Sequence, residues 1–151
     1  GPTGGQVLTG YYAANSSLIG FTNAPTVSTP VALTQTQADA TSWTTAGSTA
    51  TAAATIVPGI YRIAYSLSGR VVGGAVLSAQ IRINSSLVTG FVTNRELRGF
   101  GTDNTLEVQG TLAAEVFSTI APGDTIDIIV QGNNTANTQY RTISLTITRV
   151  H

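Results

Sequence analysis

Along most of this chain, apolar and polar residues alternate with a period of two between Gly, Pro and Asn punctuation, and no window sustains a helical period. Successive side chains on a strand point to opposite faces, so this alternation specifies half-buried β-strands and leaves long helices out. The clearest case follows Val57-Pro58-Gly59, where Tyr61, Ile63, Tyr65 and Leu67 share one face and Arg62, Ala64, Ser66 and Ser68 the other. A turn at Gly73-Gly74 leads to Leu77, Ala79, Ile81 and Ile83 opposed by Ser78, Gln80 and Arg82, and the two segments read as a hairpin.

The same parity continues toward the C-terminus. Leu106, Val108, Leu112, Ala114 and Val116 alternate with Glu107, Gln109, Thr111 and Glu115, in a long strand expected to bend at Gly110. Pro122-Gly123-Asp124 has turn chemistry, since Pro presets φ and Gly accepts the positive φ of a type II turn. Ile126, Ile128 and Val130 then alternate with Thr125, Asp127 and Gln131, and Gly132 to Gln139 reads as a loop. The segment Thr142 to Val150 reads as an interior strand, because Ile143, Leu145 and Ile147 alternate with Thr and Ser rather than with charge. The first third is less regular, with apolar pieces at Val7 to Ala14, Leu18 to Phe21 and Val31 to Leu33. Strands are expected near both ends of Ala38 to Ile56, with Trp43 pinned by packing. Eight to ten antiparallel strands within 151 residues indicate one all-β domain, a two-sheet jelly-roll sandwich.

Composition narrows the chemistry. Charged residues are 9% of the chain, against about 25% in ordinary globular proteins, and seven Arg balance seven acidic residues with no Lys. The Arg residues are scattered, which argues against a nucleic-acid partner. No apolar run approaches the roughly 18 residues of a membrane-spanning helix. With no Cys, and His151 as the one His, neither a Cys-His nor a Ser-His-Asp arrangement fits within the chain. Glu107 and Glu115 share a strand face, and such carboxylates read as solvated surface rather than a glycosidase pair. Asp103-Asn104 and the pair Asp124 and Asp127 read as turn caps and strand surface rather than calcium ligands. The sequons at Asn15, Asn84 and Asn133 mark polar segments. No enzymatic activity, metal or cofactor is expected.

Four pieces in order resemble the complement globular-head and tumour-necrosis-factor superfamily. They are Val57 to Tyr61 opening a strand that runs to Tyr65, the strand ending at Ile83-Asn84, Ala121-Pro122-Gly123-Asp124 before Ile126-Asp127-Ile128, and the closing strand Ile143 to Val150. The resemblance implies a jelly roll that assembles as a compact threefold trimer through its inner sheets. At the start, Gly1-Pro2-Thr3-Gly4 resembles the last triplet of a collagen-like stalk, and Tyr11 to Asn15 is similar to the opening of the head domain of BclA-like spore-surface glycoproteins. Residues 1–5 are accordingly read as a stalk remnant or the scar of a removed tag, and residues 6–151 as the head.

Two functions from different classes follow. The first is a structural, trimer-nucleating head or tip of a collagen-like surface fibre, on a spore exosporium or appendage, with Tyr61, Tyr65, Phe117, Ile143, Leu145 and Ile147 in the core and trimer interface. The second is a receptor- or glycan-binding tip of a phage or viral fibre, whose recognition loops would carry Phe91, Arg95, Arg98, Phe100, Tyr140 and Arg141. The partners expected are the chain itself as a homotrimer and a surface glycan or host-cell receptor, outside the cell in either case.

Overall fold

The computed structural model describes residues 10–16, 20–39, 41–87, 93–101 and 106–151. Gly1 to Gly4, Phe91 and Asp103-Asn104 lie outside the described residues. The strands are β1 (Tyr12–Asn15), β2 (Thr22–Asn23), β3 (Thr29–Pro30), β4 (Thr34–Ala38), β5 (Trp43–Ala46), β6 (Thr49–Ala52), β7 (Gly59–Val72), β8 (Val76–Ile83), β9 (Ser86–Leu87), β10 (Arg95–Arg98), β11 (Glu107–Ile120), β12 (Thr125–Gly132) and β13 (Thr138–Arg149). They form two antiparallel sheets. One runs β11-β7-β13-β1-β4 with β2 beside β13; the other runs β10-β8-β12-β6-β5 with β3 beside β12 and β9 beside β8.

The core lies between the sheets and follows the sequence parity. Tyr61, Ile63, Tyr65, Leu67 and Val71 of β7 meet Leu77, Ala79 and Ile81 of β8 and Ile126, Ile128 and Val130 of β12, all buried. At one end Trp43 packs between Tyr12 and Tyr61, with ring centroids 5.8 and 6.1 Å away, and its Nε1 donates to the Gly10 carbonyl at 2.9 Å. The buried Tyr65 hydroxyl lies 2.9 and 2.8 Å from the carbonyl oxygens of Ala79 and Thr93, which ties β7 to the opposite sheet. Burial raises the pKa of that phenol well above its ordinary value.

Gly10, the first described residue, and the C-terminal residues are held at the Trp43 end. Gly10 N donates to Asp39 Oδ2 at 3.0 Å, and Ile60 exchanges backbone hydrogen bonds with Val150 and His151. At the opposite end three connections meet: Gly73 N donates to the Leu106 carbonyl, Val72 N to Asn137 and Gly99 N to Ala75. We call these ends proximal and distal.

Several expectations are corrected. β7 and β8 are not a hairpin: β7 pairs with β11 along its whole length and with β13 on its other edge, so the Gly73-Gly74 turn carries the chain across to the second sheet. Gly73, at φ +64, permits that turn. Gly110 does not bend β11, which keeps register from Glu107 to Ile120. Gly110 sits opposite Gly69 instead, and together they leave room for Leu97 reaching in from β10; a Cβ at Gly69 would lie 3.1 Å from Leu97 Cδ2 and 2.7 Å from Leu77 Cδ2. β13 starts at Thr138, four residues before the expected strand, and absorbs a bulge between Arg141 and Ser144 with Thr142 at φ 56. Within Ala38 to Ile56 the strands β5 and β6 occupy the middle as a hairpin, while the segment before Ile56 is a turn.

Phe117 is a further correction. It is 56% exposed, whereas Leu112 and Ile120 on the opposite parity of β11 are buried. Phe117 lies an odd number of positions from the inward Leu112, Ala114 and Val116, so the pleat turns it outward. The turn before β12 matches expectation: Asp124 N donates to the Ala121 carbonyl, Gly123 has φ +87, and Asp124 Oδ2 accepts from Ala121 N at 2.9 Å.

Candidate functional site

The residues expected in the core and trimer interface divide by parity. Tyr61, Tyr65, Ile143, Leu145 and Ile147 are at most 3% exposed within one chain, so they have no surface to offer a second subunit. Phe117 does have that surface. It belongs to the outer face of the six-stranded sheet, whose cross-strand rows can be read from the pairing. Phe117, Arg62 and Thr148 form one row; Glu115, Ala64, Thr146 and Ala13 the next; Ala113, Ser66, Ser144 and Asn15 the third. Further toward the distal end Gln109, Arg70, Gln139 and Asn23 form another.

The middle of this face is therefore Ala, Ser and Thr, with Ser66 and Ser144 hydroxyls 2.9 Å apart. Small side chains make a sheet face flat. At the proximal end three exposed apolar residues share the outer side: Phe117, Ile60 at 38% and Val150 at 48%. Ile60 pairs with Thr119 and bonds Val150 through the backbone, so the three are neighbours across adjacent strands.

The charges of the face are satisfied within it. Arg62 pairs with Glu115, and Arg70 holds Glu107 with its Nε 2.9 Å from Oε1 and its Nη2 3.0 Å from Oε2. The Arg70 guanidinium and then the Gln109 amide hold the Glu107 carboxyl below its ordinary pKa. Arg70 also donates to Gln139, whose Nε2 donates to Asn23 Oδ1 at 3.0 Å. Arg141 lies over the Phe21 ring at 4.2 Å, a cation–π contact.

The residues expected on recognition loops are dispersed. Arg95 and Arg98 lie on β10, an edge strand of the seven-stranded sheet, and Arg98 pairs with Glu96. Tyr140 and Arg141 lie on β13 near the middle of the six-stranded sheet, with Tyr140 packed against the core and its phenol pKa raised by burial. Phe100 is the one described member that is both exposed, at 69%, and on a loop. The physical reason is again pairing: β13 starts four residues before its sequence pattern, which draws Tyr140 and Arg141 into the sheet.

The remaining described acidic groups have structural partners. Asp127 makes a bidentate pair with Arg82, at 2.9 and 2.6 Å. Asp124 accepts from Asn84 Nδ2, whose own backbone sits at φ 54 in the two-residue turn between β8 and β9. Asp39 accepts from Gly10 N, the Thr41 hydroxyl and the Ser42 hydroxyl, which hold its pKa down to about 2. Among the described residues no group of three metal-ligating side chains occurs. Ile60 and Val150 were missed by sequence reasoning; the signal was their parity opposite Tyr61 and Arg149, with Tyr61 wholly buried.

No protein-family model matches the sequence, and no curated protein matches it. Among solved structures, the chain is similar to the globular domain of zebrafish complement 1qA protein, with a TM-score of 0.59 and 13% identity over 95% of this chain and 98% of that one. The fold is thus the two-sheet jelly roll of complement globular heads and tumour-necrosis-factor-like domains.

Proposed function

We propose that this chain is the trimeric, non-enzymatic head of a collagen-stalked fibre on an extracellular surface, a spore exosporium or a similar appendage. Its work is assembly: three heads associate through the outer face of the six-stranded sheet and so bring three stalk chains into register. The observation that carries the reading is that face. It is flat and hydroxyl-rich, its Arg62, Glu115, Arg70 and Glu107 are neutralised in place, and it exposes Phe117, Ile60 and Val150 together. Burying charges that already have partners avoids leaving an unpaired ion at an interface, which is the large cost of burying charge. A clustered aromatic with two aliphatic residues supplies the apolar centre that stable interfaces need.

The chain path supports the same reading. Gly10 and His151 are both held at the proximal end, beside Phe117, so a stalk preceding the head would join where the apolar cluster lies. Three parallel collagen chains leave their helix together, and a threefold head matches that geometry. The resemblance of Gly1 to Gly4 and of Tyr11 to Asn15 to collagen-stalked spore glycoproteins points to the same class.

Mass in solution tests it. The 15.5 kDa chain is expected to scatter light at about three times its monomer mass. A monomer at all concentrations would remove the assembly reading.

A further inference from the structure

We propose that the distal end of the seven-stranded sheet carries a binding cleft for a neutral, polyhydroxylated ligand, a terminal sugar of an uncharged glycan. Two adjoining hollows meet there at Asn133. One, of about 360 Å3, is bounded by Val76 and Ser78 of β8, Gln131 of β12 and Thr26. The other, of about 190 Å3, is bounded by Gly74, Ala75, Asn134 and Asn137. No ionisable side chain lines either one. Amides and hydroxyls both donate and accept, as sugar hydroxyls do, and a lining without charge favours an uncharged partner over an anionic one. The neighbouring Arg98, in register with Val76, is already paired with Glu96.

The cleft is built rather than incidental. Asn133 N donates to the Val76 carbonyl, and Asn133 Oδ1 accepts from Val76 N at 2.8 Å, so its amide plane is fixed with Nδ2 as the remaining donor. Asn134 Oδ1 accepts from Ala136 N, and the Thr138 hydroxyl bonds the Asn134 carbonyl at 2.6 Å, which orders the loop. Gln131 is held by Ser28 and by the Thr26 carbonyl. Polar groups positioned in advance spare binding the cost of ordering them.

An exposed aromatic stands at the same end. Gly99 N donates to the Ala75 carbonyl, and the Gly101 carbonyl lies against Gly74, so the Phe100 backbone runs beside two residues that line the second hollow. At 69% exposure its ring offers a face for the C–H side of a pyranose. A third hollow, of about 330 Å3, includes Arg62, Arg95 and Glu115 and lies against the proposed assembly face, where a second subunit would cover it. The distal cleft opens on the other sheet. It would stay accessible in an assembled head and be displayed three times, so that weak single-site binding becomes avid on a glycan-bearing surface.

The test is saturation-transfer NMR of the whole chain with glucose, galactose, mannose and N-acetylglucosamine, each at tens of millimolar, followed by an array of neutral, sulfated and sialylated glycans. At least one sugar is expected to bind with little dependence on salt. Phe100→Ala, which alters an exposed side chain, is expected to weaken it about tenfold. Ser78→Arg, which fills the first hollow, is expected to abolish it; unchanged melting temperatures for both variants show that the fold is kept. Absence of transfer from every neutral sugar overturns the proposal, as does binding unaffected by Ser78→Arg, or binding confined to sulfated or sialylated glycans with steep salt dependence. Light scattering on the same samples keeps the two readings apart: a trimer that binds no sugar defeats only the cleft, and a monomer that binds one defeats only the assembly.

Discussion

Replacing Phe117 by Ser separates the two roles that a large apolar residue can have in this fold. The side chain is on the outer face and 56% exposed, so its loss removes little from the core of a single chain. An aromatic residue has roughly 200 Å2 to bury, of which about 110 Å2 is still in water here; at about 25 cal/mol per Å2, covering it contributes about 3 kcal/mol per subunit. Three subunits together lose about 8 kcal/mol, or roughly a millionfold in the dissociation constant of a trimer. Because that constant scales with the square of concentration, the midpoint for dissociation rises about a thousandfold. Sedimentation or light scattering over a dilution series reads this directly, with far-UV circular dichroism and urea unfolding of the monomer as controls for folding. A dissociation midpoint unchanged from that of the parent chain would show that Phe117 does not meet another subunit. A variant that lost its β-sheet signal would show that Phe117 supports the single chain, contrary to its exposure.

Other changes probe the interior. Tyr65→Phe removes the hydroxyl shared between the Ala79 and Thr93 carbonyls and is expected to cost about 1–2 kcal/mol in urea unfolding; an unchanged midpoint would contradict the link between sheets. Gly69→Ala places a methyl group against Leu77, Leu112 and Leu97, at a cost of about 1–3 kcal/mol, and shortening Leu97 to Ala should relieve part of it. Strict additivity in that double-mutant cycle would refute the shared space. For Asp39 the folded pKa of about 2 lies below the ordinary 3.8, so its stabilisation is complete above that ordinary value and disappears as pH falls through about 2. The parent chain should therefore lose more stability than Asp39→Asn between pH 4 and pH 2, and parallel acid titrations would refute the role assigned to the carboxylate.

Much of the strand content was legible because a pleated strand writes its two faces into alternate positions. Tyr61 to Leu67, Leu77 to Ile83, Ile126 to Val130 and Ile143 to Ile147 fall on the inward faces as their parity requires. The Gly123 turn and the burial of Trp43 were legible for equally local reasons, a backbone at positive φ and a large ring with one donor to satisfy. The recognition loops were not, because strand length depends on the partner: β13 reaches back to Thr138 only because β7 offers a ladder as far as Val71.

Alternation and turn chemistry act within a few residues, and they sufficed to specify an all-β chain and its inward faces. Which strands become neighbours is decided over long separations, by competition among edges. β7 could have paired with β8 across the Gly73-Gly74 turn, but pairing instead with β11 and β13 places both of its edges in long ladders and sends β8 to the facing sheet. That one choice puts Phe117, Ile60 and Val150 on a common outer face and gathers the Asn133 loop, Val76 and Phe100 at the far end. Neither grouping is written in any local pattern, since each joins residues that only the packing of two sheets brings together.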